Sequence, residues 1–254
     1  MIDPAGEYSP LILGIVFALL IAGLVINAFV KDRSAFQRFS NFRSSKKRRR
    51  TMRKWLISSM LLFGGSALIT TVLAWKYVPL LLADINAIGF VAGARDWFDS
   101  GGWLSWAILV TLVVLLVGFL IGAIFAARND PEVSALGDIQ AMLPRNRKEL
   151  RYGAALSVNA GIVEEVLFRL AMPALVFAFT SNAIIAVVVS VLVFGGLHAY
   201  QGIAGIVGTT IIGALFMLIY LATGNIFVVI VVHALFDLRS LVLIPMVINK
   251  VHRT

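Results

Sequence analysis

The sequence predicts an all-α fold, a polytopic transmembrane bundle of about seven helices. Three observations carry that reading: 60% of the residues are hydrophobic and only 14% charged, the mean hydropathy is +0.93, and apolar runs long enough to cross ~30 Å of hydrocarbon as helices recur along the chain. In lipid the backbone must satisfy its own hydrogen bonds. The runs lack period-2 alternation, so helices satisfy it rather than the closed strands of a barrel.

Spans are expected near 11–30, 55–75, 103–126, 153–178, 183–199, 203–222 and 225–248, with room for an eighth, partial one between 77 and 94. Short connections at Thr180-Ser181-Asn182, Gln201-Gly202 and Thr223-Gly224-Asn225 fold the last four spans into a compact antiparallel bundle. No internal repeat is visible. The whole reads as one membrane domain with two parts, residues 1–152 carrying the first spans and a basic loop, and residues 153–254 carrying every intramembrane ionisable group discussed below.

Basic residues orient the chain, because positively charged loops stay cytoplasmic. Eleven of the 22 Lys and Arg lie in residues 31–54, two lie in 76–102, five in 127–152, and Lys250 and Arg253 close the chain. This distribution predicts N-out, C-in. The first span lacks a basic flank before it and reads as an anchor rather than a cleaved leader. The net charge of +9 is explained by topology and by attraction of residues 31–54 to anionic lipid headgroups, so no nucleic-acid partner is expected. Phe36, Phe39 and Phe42 are spaced so that this loop could lie on the membrane as a short interfacial helix. Zero cysteines exclude disulfides, thiolate ligands and a cysteine nucleophile.

Residues 153–254 contain three carboxylates, Glu164, Glu165 and Asp237, together with His198 and His233, all within long apolar runs. A charge near the bilayer centre costs about 2.5–3.5 kcal/mol on the lenient insertion scale, so each is a functional candidate. In Glu164-Glu165-Val-Leu-Phe-Arg169, Glu165 and Arg169 are four apart in the favourable order for a helical ion pair. Glu164 points about 100° away with no local counter-charge, as a general base requires; a structural clamp of two acids on one arginine is the plainer alternative. Phe194-Gly-Gly-Leu-His198 puts Phe194 and His198 on one face, and its glycines permit close helix approach, although a lone histidine can simply bond a neighbouring backbone. His233-Ala-Leu-Phe-Asp237 is a second i, i+4 pair in which Asp237 can hold His233 in one tautomer.

The order E-E-x(3)-R, F-x(3)-H, H-x(3)-D on three successive segments resembles the CAAX protease and bacteriocin-processing family, also called the Abi family, of intramembrane endopeptidases. The resemblance covers roughly residues 150–245 and extends to the eukaryotic type II CAAX prenyl endopeptidase, the Ras-converting enzyme. It implies that Glu164 and His198 activate a water against a peptide carbonyl while His233 and Asp237 stabilise the oxyanion. Glu165 and Arg169 would support the helix face presenting Glu164, and Phe194 would shape the pocket. The family often has Asn at the last position, whose amide donates. An ionised Asp237 would repel an oxyanion, so it is either protonated or orients and charges His233, which then donates alone. The substrate implied is a membrane-associated peptide or protein, prenylated or not, and the setting a bacterial cytoplasmic membrane. No cofactor is expected.

Three other readings remain open. A zinc-dependent hydrolase could use His198, His233, Glu164 and Asp237 as ligands, though no H-E-x-x-H is present. A proton-coupled transporter would also place Glu and His at mid-membrane. A non-catalytic immunity or scaffold protein would act through its membrane contacts alone.

Overall fold

The computed structural model describes residues 1–127 and 142–248. It is all-helical, 88% helix with no strand among the described residues. Thirteen α-helices are present among them: α1 (Ser9–Ile26), α2 (Arg33–Ser40), α3 (Ser45–Ser59), α4 (Gly65–Ala74), α5 (Tyr77–Asn86), α6 (Gly89–Ser100), α7 (Gly102–Ala127), α8 (Arg147–Glu165), α9 (Met172–Thr180), α10 (Ala183–Leu197), α11 (Gly202–Thr223), α12 (Ile226–Leu238) and α13 (Ile244–Ile248). Lys250, Arg253 and Arg128, used above for orientation, lie outside the described residues.

Among the described residues, four helical runs are long and apolar enough to cross a bilayer: Ser9–Ser40, Ser45–Ala74, Ala199–Thr223 and Ile226–Met246. A fifth arises if α5 and α6, bent by 101° at their junction, count as one broken span; this pair occupies the place of the expected partial span at 77–94. The other three expected spans differ for identifiable reasons. α10 has 15 residues, fewer than a bilayer needs, and the described apolar stretch of α7 is Gly102–Val114. The expected span at 153–178 runs through α8 and α9 but carries Glu164, Glu165 and Arg169, which place it outside a purely apolar class. Exposed large apolar side chains such as Leu11, Leu61, Leu68, Ile203 and Ile211 cover the outside of the bundle, as lipid-facing surface requires. The chain is an integral membrane protein.

The turns between the last helices follow from local chemistry. Ser181 and Gly224 adopt left-handed conformations at φ 51° and 62°, ending α9 and α11. Asn182 and Asn225 then cap the next helices, their side-chain oxygens accepting from the Ile185 and Phe227 amides at 2.9 Å. Left-handed residues satisfy the last carbonyls of one helix and asparagine the first amides of the next.

α8 and α12 pack together most extensively, and glycine sets their separation. A Cβ at Gly161 would lie 2.9 Å from the Ile230 carbonyl oxygen and 3.0 Å from the Ala234 Cβ, and one at Gly153 2.7 Å from the Leu241 carbonyl oxygen. Small residues let membrane helices approach until their backbones touch. The other side of α8 meets α3 through a partly buried polar contact, Asn159 donating to Ser59 Oγ at 2.8 Å. Val163 packs on Gly64 in the turn that follows α3.

The basic stretch 31–54 is not a loop. α2 continues the first helix, and α3 begins at Ser45 and carries Lys46-Lys47-Arg48-Arg49-Arg50 into the protein. Arg48 is fully buried, donating to Glu149 at 3.0 Å and to the Leu143 carbonyl at 3.0 Å, with its guanidinium 4.1 Å from the Phe39 ring centroid. Phe36 and Phe39 are buried. Phe39 packs on Trp55 at 4.6 Å and Phe36 on Tyr200 at 5.6 Å, so these rings tie α2 to the bundle instead of inserting into lipid. Burial works against ionisation of Glu149, but hydrogen bonds from Ser45, the Arg145 amide and Arg48 outweigh it and hold the carboxyl below its usual range.

Two expectations follow. Gly161→Val should force α8 from α12 and lower stability in detergent by about 1–3 kcal/mol, read by thermal unfolding, whereas Gly23→Ala, where a Cβ meets nothing, should leave the midpoint unchanged. Because the folded-state value of Glu149 is depressed, its contribution is present above the unfolded carboxylate value and lost as pH falls through the folded one. The thermal midpoint should therefore drop below about pH 4.5, and Glu149→Gln should lower the neutral-pH midpoint and flatten that acid limb.

Candidate functional site

Glu164 and Glu165 end α8, and a π-helical turn, Val166–Ala171, carries Arg169. Within it Arg169 folds back on Glu165, Nε to Oε2 at 2.9 Å and Nη2 donating to Oε1 at 3.3 Å, both side chains fully buried. The close α8–α12 packing brings His233 to the same carboxylate: its Nδ1 lies 2.7 Å from Glu165 Oε1. Glu165 is thus shared between an arginine and an imidazole.

This differs from the pairing read in the sequence. The i, i+4 spacing pointed to Asp237 as the group that holds His233. Asp237 Oδ2 is 3.7 Å from His233 Nε2 and about one-third exposed, beyond hydrogen-bonding range, while Glu165, on another helix, is 1.0 Å nearer and buried. A carboxylate accepts only, so Nδ1 donates to Glu165 and Nε2 faces Asp237. Helical spacing along α12 could not reveal a partner supplied by α8.

Glu164 is half-buried, and among the described residues no hydrogen bond or ion pair holds it. His198 caps the end of α10, its Nδ1 2.8 Å from the Phe194 carbonyl oxygen. The carbonyl oxygen cannot donate, so Nδ1 carries the proton and Nε2 of the neutral ring keeps its lone pair. The bland possibility that His198 bonds a backbone group is therefore realised, yet it uses one nitrogen only.

Phe194 joins these groups. Its ring centroid lies 5.0 Å from that of His198, 6.4 Å from that of His233 and 5.2 Å from that of Phe168, and the Arg169 guanidinium sits 5.0 Å from its centroid. Gly195 meets Thr210 of α11 so closely that no Cβ fits, and a Cβ at Gly213 would lie 2.6 Å from Phe194, so small residues let α11 close on this ring. Gly196 by contrast meets nothing within 4 Å. Ser190 donates to the Phe168 carbonyl at 2.6 Å, tying α10 to the π turn, whose displaced carbonyls need outside partners.

Residues outside the three motifs also line this region. Phe216 of α11 packs on His233 at 5.0 Å, and Tyr200 packs on His198 at 6.0 Å; neither could be told in the sequence from the many other aromatics. Among the described residues no group of three or more His, Asp and Glu is placed to hold a metal ion, so His198, His233, Glu164 and Asp237 do not form a ready ligand set here.

Removing Arg169 should leave Glu165 buried with one partner. Arg169→Met is expected to cost about 3–5 kcal/mol, and the double substitution with Glu165→Gln to recover much of it, measured as a double-mutant cycle on thermal unfolding.

Residues 146–239 match the family described as Type II CAAX prenyl endopeptidase Rce1-like. The match contains Glu164, Glu165, Arg169, Phe194, His198, His233 and Asp237. No curated protein and no solved structure matches the chain. A buried histidine and a half-buried one, each with one nitrogen fixed by the protein, and a carboxylate without a partner among the described residues are groups a hydrolase uses, and the family that residues 146–239 of this membrane protein match is one of proteases.

Proposed function

We propose that the protein is an intramembrane endopeptidase that hydrolyses a peptide bond of a membrane-associated peptide or protein with a water activated by Glu164 and His198. The observation that carries this reading is the Glu165–His233 contact at 2.7 Å, because an imidazole fixed at Nδ1 by a buried carboxylate presents Nε2 in a defined direction, which is what polarising a carbonyl requires.

In the proposed reaction Glu164, unpaired, takes a proton from a water as its oxygen attacks the scissile carbonyl carbon, and His198 Nε2 accepts a hydrogen bond that orients the water. Negative charge moves to the carbonyl oxygen. To donate there through Nε2 while Nδ1 donates to Glu165, His233 must carry both protons, and the carboxylates on either side, Glu165 and Asp237, stabilise that imidazolium. Asp237 then charges His233 rather than touching the oxyanion. Collapse of the intermediate breaks the C–N bond, and the proton held by Glu164 passes to the leaving amine. Phe194 and Phe216 wall the site and keep its dielectric low, which strengthens each of these contacts.

The N-out, C-in orientation belongs to this proposal. On it the α3 basic surface faces anionic cytoplasmic headgroups, and His198, near the end of the short α10, faces the same side.

The test is cleavage of fluorogenic peptides, with and without a farnesylated cysteine, by detergent-purified protein. Glu164→Gln and His233→Ala should each lower kcat at least a hundredfold with the fold intact by thermal unfolding. Asp237→Asn should lower kcat by about tenfold, less than the other two, since Glu165 alone then stabilises the charged His233. Full turnover by Glu164→Gln, or abolition by o-phenanthroline with rescue by Zn²⁺, would overturn the glutamate mechanism.

A further inference from the structure

Arg239 lies outside all three motifs, directly after α12, within the apolar run Ile226–Met246. A guanidinium at that position needs an anion, and among the described residues Asp237 offers it a charge at longer range but no direct ion pair: the Arg239 Nη2 donates to Ser240 Oγ at 2.9 Å, and its Nε is buried with no hydrogen-bond partner. The two buried arginines of the described residues, Arg48 and Arg169, each have a glutamate at 2.9–3.0 Å. Arg239 is half-buried and has a free donor.

Its location ties it to the site. The side chain leans over the ring of Phe236, 4.9 Å from guanidinium carbon to centroid; Phe236 packs on Phe216 at 6.1 Å, and Phe216 on His233 at 5.0 Å. Six residues separate Arg239 from His233, so the two lie within about 9 Å along the helix axis, the reach of two or three extended peptide residues. The aromatic contact leaves the outer guanidinium edge, Nη1 and the second Nη2 hydrogen, open to a planar bidentate acceptor.

We propose that Arg239 is a specificity-determining residue that binds a carboxylate of the peptide substrate, holding the chain so that its scissile carbonyl reaches His233. This rests on the endopeptidase reading above. The carboxylate comes from the peptide's C-terminus or from an acidic side chain on the same side of the cut, and the geometry serves both.

The experiment compares three forms of one peptide that wild type cleaves: free C-terminal acid, C-terminal amide, and the amide with a Glu placed two residues beyond the cut. Cleavage is measured for wild type, Arg239→Gln and Arg239→Lys, and the same peptides are titrated onto Glu164→Gln protein by fluorescence anisotropy, so that recognition is read without turnover. Wild type should show a KM at least tenfold higher for the amide than for the acid, with kcat changed less. Arg239→Gln should lose that distinction to within twofold, and Arg239→Lys should keep part of it. Rescue of the amide by the added Glu identifies the side-chain source; no rescue identifies the terminus. Equal KM and equal affinity of wild type for all three forms, or a distinction that survives in Arg239→Gln, would overturn the proposal. Binding that distinguishes acid from amide with no cleavage of any peptide would instead overturn the endopeptidase reading and leave Arg239 as a carboxylate site.

Discussion

Glu165 brings a carboxylate into a region with no solvent-accessible surface, and everything around the site depends on how that charge is matched. Bare burial of an ion costs several kcal/mol even after relaxation, and only well-placed partners offset it. Arg169 supplies the countercharge from the same helix and His233 supplies a donor from another. The second contact exists only because α8 and α12 touch at backbone distance, where Gly161 faces Ile230 and Ala234. A requirement for charge compensation thus becomes a requirement for a small residue one turn earlier in the chain.

The same logic arranges the aromatic groups. Phe194 sits under Arg169, against both histidines and against Phe168, so one ring shields the guanidinium from lipid and sets the spacing of two imidazoles. Each histidine has its Nδ1 engaged by a protein acceptor, a backbone carbonyl for His198 and a carboxylate for His233. The difference between those acceptors separates the two rings chemically. One acceptor is neutral and the other a carboxylate, so the two rings sit in different electrostatic settings.

The helical membrane class and the three polar motifs were legible in the chain because ionisable residues in apolar runs are conspicuous, and the Glu165–Arg169 pair because i, i+4 spacing is local. The partner of His233 was not, since it comes from a helix 68 residues away and local spacing favoured Asp237. Span number was obscured by the very charges that mark the site, which make α8 less apolar than a lipid-facing helix. The basic stretch misled differently: its positive charge suggested a surface loop, but Arg48 is buried under Phe39 and paired with Glu149, a contact between residues 101 apart that composition cannot show.

The π-helical turn at Val166–Ala171 has an effect on how this chain can be compared with others. Such a turn amounts to one extra residue inside an α-helix, so the helix changes phase by roughly 100° as it passes through. Glu164 and Glu165 lie before the phase change, and Met172 and Leu175, both fully buried, lie after it. A relative one residue shorter between these points would keep both carboxylates in place yet turn a different face of its second half toward the core. Wheel diagrams drawn straight through the segment would misjudge which of its residues meet lipid.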